Sequence, residues 1–263
     1  QTIITRNKKP VDAGVISVTM IHTGEANNVV PDSCEIRGTV RTFTYEVLDL
    51  IERRMKEIAE HTAALLIDSE MVNEGGGIHI SGDGTVLLTE TVQLGKGRNP
   101  TWSKEQVEQE IHQKLGTTKA IWLKRGLTRD YEEFGTQGHV DIVACFAPDN
   151  RVLFHDQKNP NHPDYQVSAE VRETFMRAGI EAVSVPAPDT LRDGEGFVDY
   201  SYINHYVLND GVLLCAFDDP RDKEAKAILR EVYPGREIVL VDARELFARG
   251  GGIHCITQQQ PAF

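Results

Sequence analysis

A five-residue string that occurs twice constrains the fold of this chain more than any other feature. Gly-Gly-Gly-Ile-His stands at 75–79 and again at 250–254. Each copy follows a loop-like stretch and precedes residues of β-type composition. A glycine-rich string can recur by chance, but a repeated structural unit explains both its order and its context. The recurrence therefore predicts a fold built from repeated units.

From Leu65 onward, short apolar runs alternate with turn residues and amphipathic stretches, which predicts an α+β fold. Ser81-Gly82-Asp83-Gly84 and Asn209-Asp210-Gly211 each separate two apolar runs and predict β-hairpins. Ser103 and Gln106 form a capping-box pattern that predicts a helix ending at Leu115. We predict further helices over 166–178 and from 219 to about 233. The predicted strands are 65–72, 78–80, 86–89, 120–123, 139–146, 152–155, 202–208, 212–217, 238–241 and one after Gly252.

The first 64 residues have a different character and predict a separate small domain. Val15–Ile21 and Cys34–Phe43 are rich in β-branched or alternating residues and predict two strands, with Pro31 in a turn between them. Thr44 is a suitable N-cap for an amphipathic helix that runs to about 61–64. We therefore place the domain boundary between residues 1–64 and 65–263.

Composition limits the partners and the compartment. The formal net charge of −12 disfavours nucleic acid, and no apolar run of about 18 residues predicts a membrane span. The four cysteines are widely spaced without a Cys-x-x-Cys pair, as is typical of a protein of the reducing cytoplasm: Cys34, Cys145, Cys215 and Cys255. The nine histidines include no His-Glu-x-x-His pattern, so no metal site is predicted.

Two candidate acid–base elements lie in polar segments next to glycines. In Gly138-His139-Val140-Asp141, a strand would project His139 and Asp141 from the same face. That pair is either an acid–base group beside an anion or a buried histidine with a structural carboxylate. Glu74 precedes Gly75 and Gly76, where a sharp turn lets a carboxylate reach into a cleft; the alternative is an exposed loop acid.

Cys255 is the candidate nucleophile because it follows the triple-glycine loop at the start of a predicted strand. A thiol there is accessible, although it needs a base or positive charge nearby to become a thiolate. His254 is a poor base on this interpretation, since neighbouring residues of a strand point to opposite faces. Cys145 and Cys215 lie in apolar runs and predict core positions, which is also the alternative for Cys255.

Six motifs in the same order and spacing make residues 66–263 resemble the agmatine deiminases, and partly the bacterial peptidyl-arginine deiminases. The resemblance implies part of a pentein-type α/β propeller of ββαβ repeats with pseudo-fivefold symmetry. The motifs are Glu74-Gly75-Gly76, Ser81-Gly82-Asp83-Gly84-Thr85, Arg98-Asn99-Pro100, Gly138-His139-Val140-Asp141, Phe217-Asp218-Asp219-Pro220 and the block from Gly250 to Pro261.

The resemblance also implies a reaction without a cofactor. Cys255 would attack the guanidinium carbon of agmatine, and His139 would protonate the departing ammonia and later activate water. Glu74 would orient His139, and Asp141 would bind the guanidinium nitrogens. The products would be ammonia and N-carbamoylputrescine, a step in putrescine and polyamine biosynthesis.

The N-terminal segment is similar to part of the dimerisation domain of aminoacylase- and hippurate-hydrolase-type amidohydrolases. This similarity rests on Gln1–Arg6, Asn28–Ser33 and Gly38–Phe43. The agmatine deiminase family carries a second guanidinium-binding Asp in its N-terminal half, and no segment before Leu65 matches that half. We therefore predict weak or no deiminase activity of the isolated chain, and association into homo-oligomers through exposed strand edges. A natural fusion, a fragment and a joining product remain open.

Three alternatives remain at this point. The first alternative is a non-catalytic remnant that binds a cationic ligand or a partner chain. The second is a deiminase that acts on another guanidino compound. A dimetal amidohydrolase is the third alternative, and no cluster of metal ligands in the sequence favours it.

Overall fold

The computed structural model describes residues 14–23, 34–42, 44–62, 69–133 and 135–257. These residues form two compact bodies, an N-terminal body that reaches Glu70 and a main body of Met71–Thr257. The predicted turn at Pro31 and half of the predicted strand at 65–72 lie outside the described residues.

The N-terminal body contains the strand–strand–helix order that the sequence predicts. Strands β1 (Gly14–Thr23) and β2 (Cys34–Thr42) pair antiparallel, and helix α1 covers Tyr45–Thr62. The Thr44 hydroxyl accepts a hydrogen bond from the Val47 amide at 3.3 Å, which confirms Thr44 as the cap.

The main body contains three small sheets of three strands each. Its strands are β3 (Ile78–Ile80), β4 (Thr85–Thr89), β5 (Lys119–Leu123), β6 (Ala144–Phe146), β7 (Val152–Asp156), β8 (Ala182–Pro186), β9 (Tyr206–Val207), β10 (Gly211–Ala216) and β11 (Glu237–Asp242). Its α-helices are α2 (Glu90–Gln93), α3 (Lys104–Leu115), α4 (Asp164–Ala178), α5 (Asp222–Val232), α6 (Arg244–Phe247) and α7 (Ile253–Ile256).

All three sheets have the same topology. The first two strands of each sheet form an antiparallel pair, a helix follows, and the third strand pairs parallel with the second. We call these ββαβ repeats 1 (78–123), 2 (144–186) and 3 (206–242). The mixed α/β architecture of small sheets confirms the predicted class, while the closed arrangement of a propeller stays a prediction.

Local sequence patterns predicted the longer helices of the main body to within a few residues. The Ser103 hydroxyl accepts from the Gln106 amide at 3.3 Å, and the Gln106 side chain accepts from the Ser103 amide at 2.8 Å. Both bonds of the predicted capping box are therefore present at the start of α3. Among the described residues, no helix is long and apolar enough to cross a membrane.

One large hydrophobic core joins the three repeats. Leu87 of repeat 1, Phe154 and Phe175 of repeat 2, and Leu214 and Leu229 of repeat 3 belong to one cluster and are almost completely buried. Burial of each such side chain stabilises the fold by about 1.5–3 kcal/mol. The shared core therefore fixes the segments that connect the repeats.

Four predicted strands were wrong in whole or in part, at or next to those connecting segments. Residues 139–146 do not form one strand: Val140–Ile142 is a 3₁₀ turn, and β6 begins only at Ala144. The strand predicted after Gly252 is helix α7, and residues 69–72 carry no regular structure. Of the strand predicted over 202–208, only Tyr206–Val207 is present, as β9. Hydrogen bonds from distant residues, described below, impose the first two of these conformations.

Candidate active site

The segments between repeats bring the sequence-predicted site residues together. Glu74 lies just before β3, and His139 and Asp141 lie just before β6. Asn204 lies just before β9, and Cys255 follows β11. Each of these residues therefore occupies a junction, by which we mean a segment next to a repeat and outside its sheet.

His139 and Glu74 are in direct contact. The His139 Nε2 atom lies 3.1 Å from Glu74 Oε2, and the His139 side chain is nearly buried. An ionised carboxylate can only accept hydrogen bonds, so Nε2 carries a proton and donates a hydrogen bond to Glu74. The Nδ1 atom of His139 is then the position from which a proton can be given or taken.

Arg98 holds Glu74 in its ionised form. The Arg98 Nε atom donates to both oxygens of Glu74, at 2.7 and 3.0 Å. Burial disfavours the ionised carboxylate, but the hydrogen bonds from His139 and Arg98 outweigh it and lower the pKa of Glu74. Arg98 also donates to the Thr136 carbonyl at 2.8 Å. Arg98 stands in one of the recognised motifs, yet the sequence alone assigned it no role.

Asp130 holds the loop that presents His139. Its carboxylate accepts hydrogen bonds from the Thr136 amide at 2.7 Å, the Thr136 hydroxyl at 2.6 Å, the Gly138 amide at 2.7 Å and the His139 amide at 3.1 Å. Gly138 has a φ of +105°, which a residue with a side chain rarely adopts. These bonds explain why the chain turns here and does not continue as a strand.

Asp141 contacts both His254 and Cys255. The buried Asp141 Oδ2 atom lies 2.7 Å from His254 Nδ1 and 3.4 Å from Cys255 Sγ. Asp141 Oδ1 is buried and has no hydrogen-bond partner within the part of the chain that the structure describes. A buried acceptor of this kind is costly unless a ligand satisfies it.

The reason for which the sequence made His254 a poor base was wrong, while its role as a base stays untested. It assumed a strand, on which residues 254 and 255 would point to opposite faces. On helix α7, consecutive side chains are separated by only about 100°, so both reach the same carboxylate oxygen.

The environment of Cys255 favours the thiol over the thiolate. Burial raises the pKa of Cys255 well above its usual value, and the charge of Asp141 raises it further. A hydrogen bond from the Asn204 side chain acts in the opposite direction. Cys145 and Cys215 lie in the hydrophobic core, as predicted.

Gly76 lies between His139 and Asp141, where the His139–Glu74 pair comes close to the Asp141–Cys255 pair. A Cβ atom at position 76 would lie 2.5 Å from His139 Nδ1 and 2.7 Å from Asp141 Oδ2. Both distances are shorter than van der Waals contact, so a side chain cannot be placed there without displacing His139 or Asp141. The close approach of His139 and Asp141 therefore explains why a glycine occupies position 76 of the repeated string.

We expect Gly76→Ala to destabilise the protein by about 1–3 kcal/mol, because the new methyl group overpacks a buried polar site. Unfolding in urea, followed by circular dichroism, measures the change. Gly82→Ala is the matched control, since a Cβ atom at Gly82 meets nothing within 4 Å. Equal stability of the two variants would contradict the close approach at Gly76.

Family comparison agrees with this fold. Residues 42–261 match the family described as Porphyromonas-type peptidyl-arginine deiminase, and the chain belongs to that family. Residues 6–65 match the peptidase dimerisation domain, which confirms the similarity recognised in the N-terminal segment.

Individual relatives carry deiminase names. A Streptomyces coelicolor protein named "Putative agmatine deiminase" is 58% identical over 213 residues, covering 78% of this chain and 63% of the relative. An agmatine deiminase of Pseudomonas aeruginosa is 37% identical over 244 residues, covering 84% of this chain and 65% of the relative. The chain thus spans less than two thirds of the length of these relatives.

Solved structures show the same fold. The structure of the Enterococcus faecalis agmatine deiminase has a TM-score of 0.71 and 31% identity, covering 83% of this chain and 65% of that one. A substrate-bound C. jejuni agmatine deiminase has the same TM-score at 22% identity, covering 81% and 62%. The fold of the main body is therefore that of agmatine deiminase structures.

Proposed function

We propose that the main body carries the site of a guanidino deiminase that hydrolyses agmatine to N-carbamoylputrescine and ammonia through a covalent bond to Cys255. The contact between Cys255 Sγ and the buried Asp141 carboxylate is the observation that carries this proposal. It places a nucleophile beside a carboxylate whose second oxygen, Asp141 Oδ1, has no hydrogen-bond partner among the described residues.

Asp141 is suited to bind a guanidinium group. A guanidinium is a planar cation with several N–H donors, and a carboxylate matches both its charge and its geometry. Asp141 Oδ1 can accept one of these N–H groups. Burial and the negative charge of Asp141 keep Cys255 protonated. Binding of the cation would offset that charge, so that the thiol would lose its proton to solvent and form the nucleophile when substrate is present.

The reaction then proceeds in two halves. The Cys255 thiolate adds to the guanidinium carbon and gives a neutral tetrahedral adduct. Protonated His139 donates a proton to one amino group, ammonia leaves, and a cationic amidino-thioether remains. Neutral His139 takes a proton from water as the water adds to the same carbon. The carbon–sulfur bond breaks and the thiolate returns. The hydroxyl proton leaves to solvent and gives the urea product, while His139 is again protonated for the next cycle.

Glu74 and Arg98 support both halves of this reaction. The Glu74 carboxylate fixes the His139 ring through Nε2 and stabilises the imidazolium that forms when water is activated. Arg98 keeps Glu74 ionised and ties it to the loop before His139. The names of the relatives support agmatine as substrate. Cytoplasmic location and homo-oligomers remain predictions.

Incubation of the chain with agmatine tests the proposal. We expect slow ammonia release, at the weak level predicted from the sequence, and an amidino adduct on the Cys255 peptide after an acid quench, detected by mass spectrometry. Cys255→Ala should give neither. Arginine in place of agmatine tests the substrate preference. We expect arginine to react more slowly, since the negative charge of the protein repels its carboxylate. If the wild-type chain gave no ammonia and no adduct, that result would contradict a competent site.

A non-catalytic guanidinium-binding remnant is the second candidate. The pKa of Cys255, which burial and the charge of Asp141 raise, favours it, because a protonated thiol is a poor nucleophile. Saturable binding of agmatine that Asp141→Asn weakens, without any adduct, would support this candidate instead.

A further inference from the structure

The three repeats share one strand register. In each repeat, the last antiparallel pair of the hairpin includes a valine of the second strand, and this valine also pairs with the third strand. These valines are Val86, Val152 and Val212. Residues at the same distance along the third strands are therefore equivalent. One residue beyond the shared pair stand Ile121, Val183 and Val239, and three residues beyond it stand Leu123, Val185 and Val241.

These equivalent positions are apolar in every repeat, but their burial differs. Leu123 and Val185 are 0% and 1% exposed, and both belong to the shared hydrophobic core. Val241 is 38% exposed, and Val239, which lies on the same face of β11, is 39% exposed. Repeat 3 therefore carries core-type residues at a surface position, and an exposed apolar surface of this kind marks an interaction site.

The helix of the following repeat explains why the first two repeats differ from the third. Helix α4 of repeat 2 contacts β5 of repeat 1, and helix α5 of repeat 3 contacts β8 of repeat 2. Among the residues that the structure describes, no repeat follows repeat 3. The exposed face of β11 therefore continues an interface that the chain builds twice within itself.

A second copy of this chain does not fit that face. In a head-to-tail array of copies, repeat 1 of one copy would follow repeat 3 of another, and α3 would lie on β11. The apolar side chains of α3 already pack against the sheet of repeat 1; they are Val107, Ile111 and Leu115. Every other residue of α3 is polar or charged, so α3 would lose its hydration against the valines without a compensating partner.

We propose that the face of β11 around Val239 and Val241 docks a further ββαβ repeat that belongs to a second, different polypeptide. The helix of that repeat contacts both valines through an apolar stripe. A basic residue beside the stripe pairs with Glu237, which is exposed on the same face at the start of β11. The relatives are long enough to supply such a repeat: the match covers 63% of the Streptomyces coelicolor relative and leaves more residues than any of the three repeats contains.

Co-expression tests this docking. The probe is the part of the Streptomyces coelicolor relative that lies outside the matched region, carrying an affinity tag, and it is expressed together with the complete untagged chain. We expect the chain to co-purify with the probe as a one-to-one complex, measured by light scattering. A chain that does not co-purify would overturn the proposal. Loss of the probe to the insoluble fraction counts equally, because its partner is present while it folds.

Substitution of the valines locates the contact. Val241→Lys should lower the amount of co-purified chain about tenfold or more, because the complex would have to bury an unpaired charge. Val239→Lys should act in the same way and replaces Val241→Lys if that variant does not fold. Met176→Lys is the control, since Met176 is an exposed apolar residue on α4 of another repeat. Equal recovery of the valine variants and Met176→Lys would refute the assignment to β11.

Light scattering of the chain alone decides between the two kinds of occupant. We expect no self-association that depends on Val241. An oligomer that Val241→Lys dissociates would assign the face to a second copy and overturn the proposal. None of these measurements uses turnover, so an inactive chain in the ammonia assay would contradict the deiminase proposal alone.

Discussion

Asp141→Asn should make Cys255 more reactive toward iodoacetamide while abolishing deiminase turnover. Burial and the Asp141 carboxylate both raise the pKa of Cys255, and the carboxylate accepts a hydrogen bond from the thiol at 3.4 Å. Neutralising the carboxylate therefore favours the thiolate. We expect alkylation at pH 7.5 to accelerate by about tenfold or more, which is one pKa unit. Ammonia release should fall by about a hundredfold or more, because the guanidinium loses its counter-charge.

The opposite directions of these two effects make the prediction specific. A variant that only loosened the main body would also expose the thiol. Asp222→Asn controls for this, because Asp222 is a buried carboxylate that bonds Tyr202 and the Phe217 amide elsewhere in the main body. Slower alkylation in Asp141→Asn, or equal acceleration in both variants, would refute the electrostatic explanation.

Asp199→Asn should stabilise the protein at alkaline pH. Burial raises the pKa of Asp199 to about 7, and the charge of neighbouring Asp130 acts in the same direction. A carboxyl group with a raised folded pKa contributes stability that is fully present below its unfolded pKa of about 4 and is lost as pH rises through 7. At pH 8 the ionised group therefore costs about 4 kcal/mol, which the neutral amide avoids.

Urea unfolding at pH 5, 6, 7 and 8 measures this difference. The gap between Asp199→Asn and wild type should grow across this range. Asp149→Asn is the control, because Asp149 is exposed, pairs with Arg151 and is ionised throughout. A gap that stays constant with pH would show that Asp199 does not titrate in this range.

Sequence alone predicted the elements whose signals are local. The capping box at Ser103 and Gln106 and the cap at Thr44 involve residues three apart, so the pattern itself contains the interacting atoms. The hairpin at Ser81–Gly84 is equally local, with β3 and β4 antiparallel on either side. These features need no knowledge of the tertiary structure.

The site was only partly predictable for the opposite reason. Cys255, His139, Glu74 and Asp141 were named by resemblance, and their roles remain proposals although the structure brings them together. The conformation of α7 depends on Asn204, which accepts the His254 amide from 50 positions away. Asn204 and Arg98 carry no local pattern that reports a contact with a distant sulfur or carboxylate.

The placement of the site in the junctions also has a kinetic consequence. Each ββαβ repeat closes over a short stretch of chain, whereas the site contacts join residues 51 to 114 positions apart. Contacts between distant residues form slowly, because the chain entropy of closing long loops must be lost first. The repeats can therefore acquire their own hydrogen bonds early in folding, while the nucleophile meets its partners only when all three have docked.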